Sequence, residues 1–130
     1  MVNHESAMDV NEEEFDEIIN NSHKLVVVDF YAEWCMPCVM LAPVVEELAE
    51  SKSMKEVKFT KINIEDNEEL SRKYHISSIP CLVVFKNGKE VGRITGSQTA
   101  EVIEEKIKKF LWYFYLPYIY NSKNEISYSD

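Results

Sequence analysis

The sequence lacks any apolar run approaching the roughly 20 residues that a bilayer-spanning helix needs, and its start, MVNHESAMDVNEEE, lacks a basic segment followed by an apolar core. Neither a membrane span nor a secretory signal is expected, and a cytoplasmic location is. Positive charge is scarce: 14 Lys and Arg stand against 23 Asp and Glu, a net charge of -9. That excludes electrostatic attraction to phosphate backbones or anionic lipid, so nucleic acid is not an expected partner. Repeats and low-complexity linkers are also missing. Cysteine is limited to three residues, too few for a disulfide scaffold. In a compartment that keeps thiols reduced, a close cysteine pair points instead to catalysis or metal binding.

What is present suits one folded domain. A chain of 130 residues can bury a single core, and 45% hydrophobic residues argue against wholesale disorder. Asn11 with Glu14 three positions on has the form of a capping box, and Phe15, Ile18 and Ile19 then recur at helical spacing, which predicts a helix from about Asn11 to Asn20. KLVVVDFYA is a continuous β-branched run, the pattern of a strand buried on both faces, and Asp29 lies inside it, a costly place for a carboxylate. CVMLAPVVEELAES carries an apolar stripe from Met40 to Leu48 and predicts a helix from Cys38 to about Ser51, bent at Pro43. VKFTKINIE predicts a strand whose apolar residues change phase between Phe59 and Ile62, and Leu70 with Tyr74 marks a short helix. Two β-rich runs joined by Asn87-Gly88 predict a hairpin. Thr99 then caps a last helix with Val102, Ile103, Ile107, Phe110 and Leu111 on its buried face. Helices alternating with strands and a terminal hairpin imply an α/β fold, a mixed sheet with helices on both faces.

The chemistry centres on WCMPC. A strand running straight into a helix places Cys35 at the helix N-terminus, where unpaired N–H groups and the macrodipole favour a thiolate. Pro37 fits the first helical turn and Met36 before it is held extended. Cys38, one turn in, is the more buried of the two. The pair suits a two-step exchange in which Cys35 attacks a substrate disulfide and Cys38 resolves the mixed disulfide, with Asp29 as acceptor of the Cys38 proton. Two other readings are weaker. A closed zinc site needs four ligands, typically two such pairs, and only Cys81, His4, His23 and His75 remain, each better placed as a surface or core residue. Two inert core cysteines would leave the Trp34 and Pro37 context without purpose. No cofactor and no metal is expected.

Taken together, VVVDFYAEWCMPC, APVVEELA, KINIEDN, SIPCLVVFKNGKEV and ITGSQT resemble the thioredoxin family, in order and in spacing, over about Asn11 to Leu111. The resemblance implies the thioredoxin fold, a central mixed sheet of four to five strands, with protein disulfides as substrates and a thioredoxin reductase as the electron donor. It implies that Cys35 attacks and Cys38 resolves, and that Asp29 and Lys61 are the buried carboxylate and its neighbouring lysine. It also implies that Trp34, Ile79, Pro80 and Gly96 line the substrate groove; Met36 and Pro37, between the cysteines, are expected to contact substrate beside them. An Ile79-Pro80 bond would be trans on general frequency, and the resemblance makes it cis, freeing the Ile79 backbone to pair with a substrate strand. The implied activity is reduction of protein disulfides. The alternatives are an oxidase or isomerase, and a binding module that uses the groove or the tail.

The chain departs from the family's commonest W-C-G-P-C-K at two positions: Met36 stands for the glycine and Val39 for the lysine. Tyr31 takes the place of a common tryptophan, and Cys81 that of a frequent threonine, read here as a small buried strand residue. Residues 1–111 form the expected domain and 112–130 an extension. Of 15 aromatic residues, eight lie between Phe110 and Asp130, a density that something must cover. The expectation is that the last helix runs to Pro117 and the chain then folds back on the domain; the alternative is a surface for a homodimer or another partner.

Overall fold

The computed structural model describes residues 7–124, with side chains through Trp112. In chain order the elements are β1 (Met8–Asp9), α1 (Glu12–Asn21), β2 (Leu25–Tyr31), α2 (Met36–Glu50), a 3₁₀ turn (Lys52–Met54), β3 (Val57–Asn63), α3 (Glu68–Lys73), β4 (Cys81–Lys86), β5 (Lys89–Thr95) and α4 (Ala100–Asn124). They build one five-stranded sheet in the order β1-β3-β2-β4-β5. β3 runs parallel to both β1 and β2, while β4 is antiparallel to β2 and to β5. The parallel β2/β3 pair requires a crossover, and α2 supplies it.

β2 occupies the centre because it is apolar on both sides: its first six residues are buried. Leu25 and Val27 face a layer made with Leu41, Val45 and Leu48 of α2 and Ile103 and Ile107 of α4. Val26, Val28 and Phe30 face the other layer, with Phe15 and Ile19 of α1 and Leu70 of α3. In that second layer the rings of Phe15, Tyr74 and Phe85 meet edge to face, with centroids 5.2 to 5.7 Å apart. The phase change in β3 is explained by the same double burial. Val57 and Phe59 point into the α2/α4 layer and Ile62 into the other, so the strand changes which face it fills without breaking its pleat.

Local signals set most boundaries. The capping box is complete: Asn11 Oδ1 accepts from the Glu14 N–H and Glu14 Oε1 from the Asn11 N–H, each at 2.9 Å. Asn87 and Gly88 take φ of 52° and 81°, the positive pair that a tight hairpin turn needs. Thr99 Oγ1 accepts from the Val102 N–H at 3.2 Å. Three features differ from the sequence reading. β1 has only two residues, too short for any periodicity to announce it. α2 opens at Met36, two residues before the expected start at Cys38. α4 does not stop at Pro117; it continues to Asn124. How the aromatic side chains beyond Trp112 are covered lies outside the described residues, as does His4.

Candidate functional site

β2 ends at Tyr31 and α2 begins at Met36, and the cysteines occupy that junction. Cys35 is the N-cap of α2, with extended backbone, and its sulfur accepts the Cys38 N–H at 3.3 Å. Met36 and Pro37 form the first turn, where the missing proline N–H costs no helical bond. Cys35 and Cys38 are joined as a disulfide with Cα atoms 5.2 Å apart. Both are buried, Cys38 slightly more (3% exposed against 6%), and they form a small apolar cluster with Ala32, flanked by Tyr31, Ile64 and Ile79.

Facing the pair is the segment before β4. The Ile79-Pro80 peptide bond is cis, and the Ile79 carbonyl oxygen lies 3.9 Å from the Cys35 sulfur. Pro80 is buried, and its carbonyl accepts the Gly96 N–H at 2.8 Å. Gly96 has φ of 84°, a conformation that side chains disfavour. β4 begins at Cys81, so Ile79 lies outside the ladder. Around this point the surface is apolar: Trp34 (68%), Met36 (65%), Val39 and Met40 are exposed.

Beneath the pair lies Asp29, 1% exposed, with Oδ1 lacking a hydrogen-bond partner among the described residues. Burial pushes its carboxyl up to about 7, against the opposing pull of the Lys61 ammonium, and the Asp9 carboxylate adds to the rise. A cleft of about 200 Å³ connects the residue outward, lined by Asp29, Tyr31, Glu33, Cys38 and Lys61 among others. Asp29 and Lys61 are register partners on β2 and β3. Lys61 nevertheless makes its ion pair with Asp9, Nζ to Oδ2 3.9 Å. Sequence reasoning missed Asp9, which stands in an acidic leader with no pattern to single it out. Cys81 is a free thiol buried in the α1/α3 layer; burial pushes it up, partly offset by Arg93. His23 and His75 are both exposed, and no group of three potential metal ligands assembles among the described residues.

Two sulfurs that close on each other at a helix N-terminus, beside a buried carboxyl, can exchange electrons with another disulfide. Fold and site together define a thiol-disulfide oxidoreductase. The thioredoxin family model matches residues 6–109. The chain is 43% identical over 100 residues to thioredoxin from Chlamydia pneumoniae, covering 77% of this chain and 94% of the relative. It is 41% identical over 102 residues to thioredoxin from Staphylococcus epidermidis, covering 78% and 95%. Among solved structures, a mutant thioredoxin from Halobacterium salinarum NRC-1 superposes with a TM-score of 0.74 at 32% identity, covering 84% of this chain and 94% of that one. The chain belongs to the thioredoxin family. It is a protein-disulfide reductase whose substrates are disulfide-bearing proteins and which is itself served by a reductase. Among the described residues no helix is long and apolar enough to cross a membrane.

Proposed function

We propose that Cys35 is the attacking thiol and Cys38 the resolving one. The observation that carries this is the Cys38 N–H directed at the Cys35 sulfur at the start of α2, an arrangement that stabilises negative charge on Cys35 alone. The Cys35 thiolate attacks one sulfur of a substrate disulfide, forming a mixed disulfide and releasing the other sulfur as a thiolate. Asp29 carboxylate takes the Cys38 proton, and the Cys38 thiolate attacks Cys35. The Cys35–Cys38 bond forms, the bond to the substrate breaks, and the second substrate sulfur leaves with the electron pair and is protonated. The substrate has gained two electrons and the protein pair has lost two. A carboxyl titrating near 7 suits Asp29 to this transfer.

Trp34, Met36, Pro37, Ile79, Pro80 and Gly96 receive the substrate, the exposed Trp34 and Met36 by apolar contact and the Ile79 backbone by strand pairing. Lys61 adjusts the charge on Asp29. The electron donor is a thioredoxin reductase and the compartment the cytoplasm. Residues 1–111 are the catalytic domain. Residues 112–130 form a homodimer contact, a reading supported by α4 running on past Pro117 instead of turning back there.

The deciding experiment pairs Cys38→Ser with Cys35→Ser in the presence of a disulfide-bonded protein. Cys38→Ser is expected to accumulate a covalent adduct that a small dithiol releases, and Cys35→Ser none. An adduct formed only by Cys35→Ser would reverse the assignment.

A further inference from the structure

Lys61 stands between two carboxylates. On β3 it is the register partner of Asp29 on one side and of Asp9 on the other, so the three side chains rise in a row from one face of the sheet. The ammonium is placed at the β1 end of that row. It makes an ion pair with Asp9 at 3.9 Å and lies 5.3 Å from the centroid of the Tyr31 ring. The Tyr31 hydroxyl in turn donates to Asp9 Oδ1 at 2.6 Å. Asp9 thus holds Lys61 with one oxygen and Tyr31 with the other. Towards Asp29, Lys61 acts only as a charge at a distance, with no hydrogen bond or ion-pair contact between the two.

We propose that Asp9 is a positioning residue for the resolving step: it keeps the Lys61 ammonium over Tyr31 at the sheet edge and stops it closing on Asp29, so that the buried carboxyl remains able to carry the Cys38 proton. The proposal rests on the reading of Asp29 as that proton's acceptor. Without Asp9, the long lysine side chain has one carboxylate left to pair with, and a carboxylate held by an ammonium gives up its proton at lower pH and is a weaker base. The groups facing Asp29 are few. They are Lys61 from β3, Asp9 from β1, Tyr31 on its own strand, Glu33 in the following loop and Cys38 from α2, while β4 presents the uncharged Leu82 opposite. Lys61 is the cation among them, so its position decides the balance. Asp9 is more than half exposed, and replacing it leaves the core untouched.

The test follows the Asp29 carboxyl by carbon-13 NMR across pH in the reduced full chain, in Asp9→Asn, Lys61→Met and the double variant, alongside the pH profile of mixed-disulfide resolution. Asp9→Asn is expected to lower the Asp29 midpoint by about one pH unit, an effect that shrinks to less than half once Lys61 is also replaced. An unmoved midpoint in Asp9→Asn would overturn the proposal, as would the same shift with and without Lys61, since Asp9 would then act by its own charge alone. A moved midpoint with an unmoved resolution profile would uphold Asp9's hold on Lys61 and sink the role of Asp29 instead.

Discussion

Asp29 and Lys61 are register partners on adjacent parallel strands, yet the ion pair that Lys61 makes is with Asp9, 3.9 Å away on the far side. The buried carboxylate therefore has a cation nearby but no cation in contact, and desolvation prevails, raising it from an ordinary 3.8 to about 7. The consequence for stability has a definite sign. Between about 3.8 and about 7 the folded chain keeps a proton on Asp29 that the unfolded chain has released, so this group makes stability fall as pH rises through that window.

Asp29→Asn removes the ionisable group and keeps the side-chain shape. The variant is expected to match the parent below about pH 4 and to exceed it at pH 8 by on the order of 2–4 kcal/mol in denaturant unfolding. Equal stability at both pH values would show that Asp29 carries no such burden. Activity should move in the opposite direction, with slower resolution of the mixed disulfide, which places the residue among those retained for function at the expense of stability.

The capping box at α1 is exposed and made of two reciprocal bonds at 2.9 Å. Asn11→Ala removes the side-chain acceptor and leaves the Glu14 N–H to water. A loss of about 1 kcal/mol is expected, read as a lower thermal midpoint with unchanged disulfide reduction. A loss of activity at unchanged stability would mean that α1 does more than cover the sheet.

How much of this was legible depended on whether the signal was local. The Asn11 cap, the Asn87-Gly88 turn, the Thr99 cap and the doubly buried β2 are each written within ten residues, and each stands where the sequence put it. The pair at Cys35 and Cys38 was equally local. β1 was not legible, because Met8 and Asp9 enter the sheet through pairing with Thr60 and Lys61, some fifty positions away. The Asp9 contact with Tyr31 and Lys61 was hidden for the same reason. The start of α2 shows the remaining difficulty: the apolar stripe from Met40 to Leu48 marks a helix only from about Cys38, whereas Pro37 suits a first turn, and the helix opens at Met36. At Pro117 proline's usual role as a helix terminator was the wrong guide, since α4 continues to Asn124.

Removal of residues 112–130 tests the proposed homodimer contact. Truncation after Leu111 is expected to halve the mass in solution by sedimentation while the Cys35/Cys38 pair still reduces disulfides, because the family match ends at residue 109. A monomeric parent would end the homodimer reading. A monomeric parent that also loses stability on truncation would favour the fold-back reading.

Gly92 on β5 lies directly under the ring of Phe110 on α4. A Cβ built at Gly92 would sit 2.2 Å from Phe110 Cζ and 2.5 Å from Cε1, distances no pair of carbons tolerates. Close approach of ring to backbone is what the missing side chain permits, and it fastens α4 to the edge of the sheet. Gly92→Ala is therefore expected to cost about 1–3 kcal/mol by overpacking. Phe110→Leu is expected to cost less than about 1.5 kcal/mol, since the position is only partly buried. The double variant should be more stable than the sum of the two losses predicts, because leucine lacks the ring carbons that collide with the new methyl. Strict additivity would mean that the glycine is held by β5 itself and not by the ring above it.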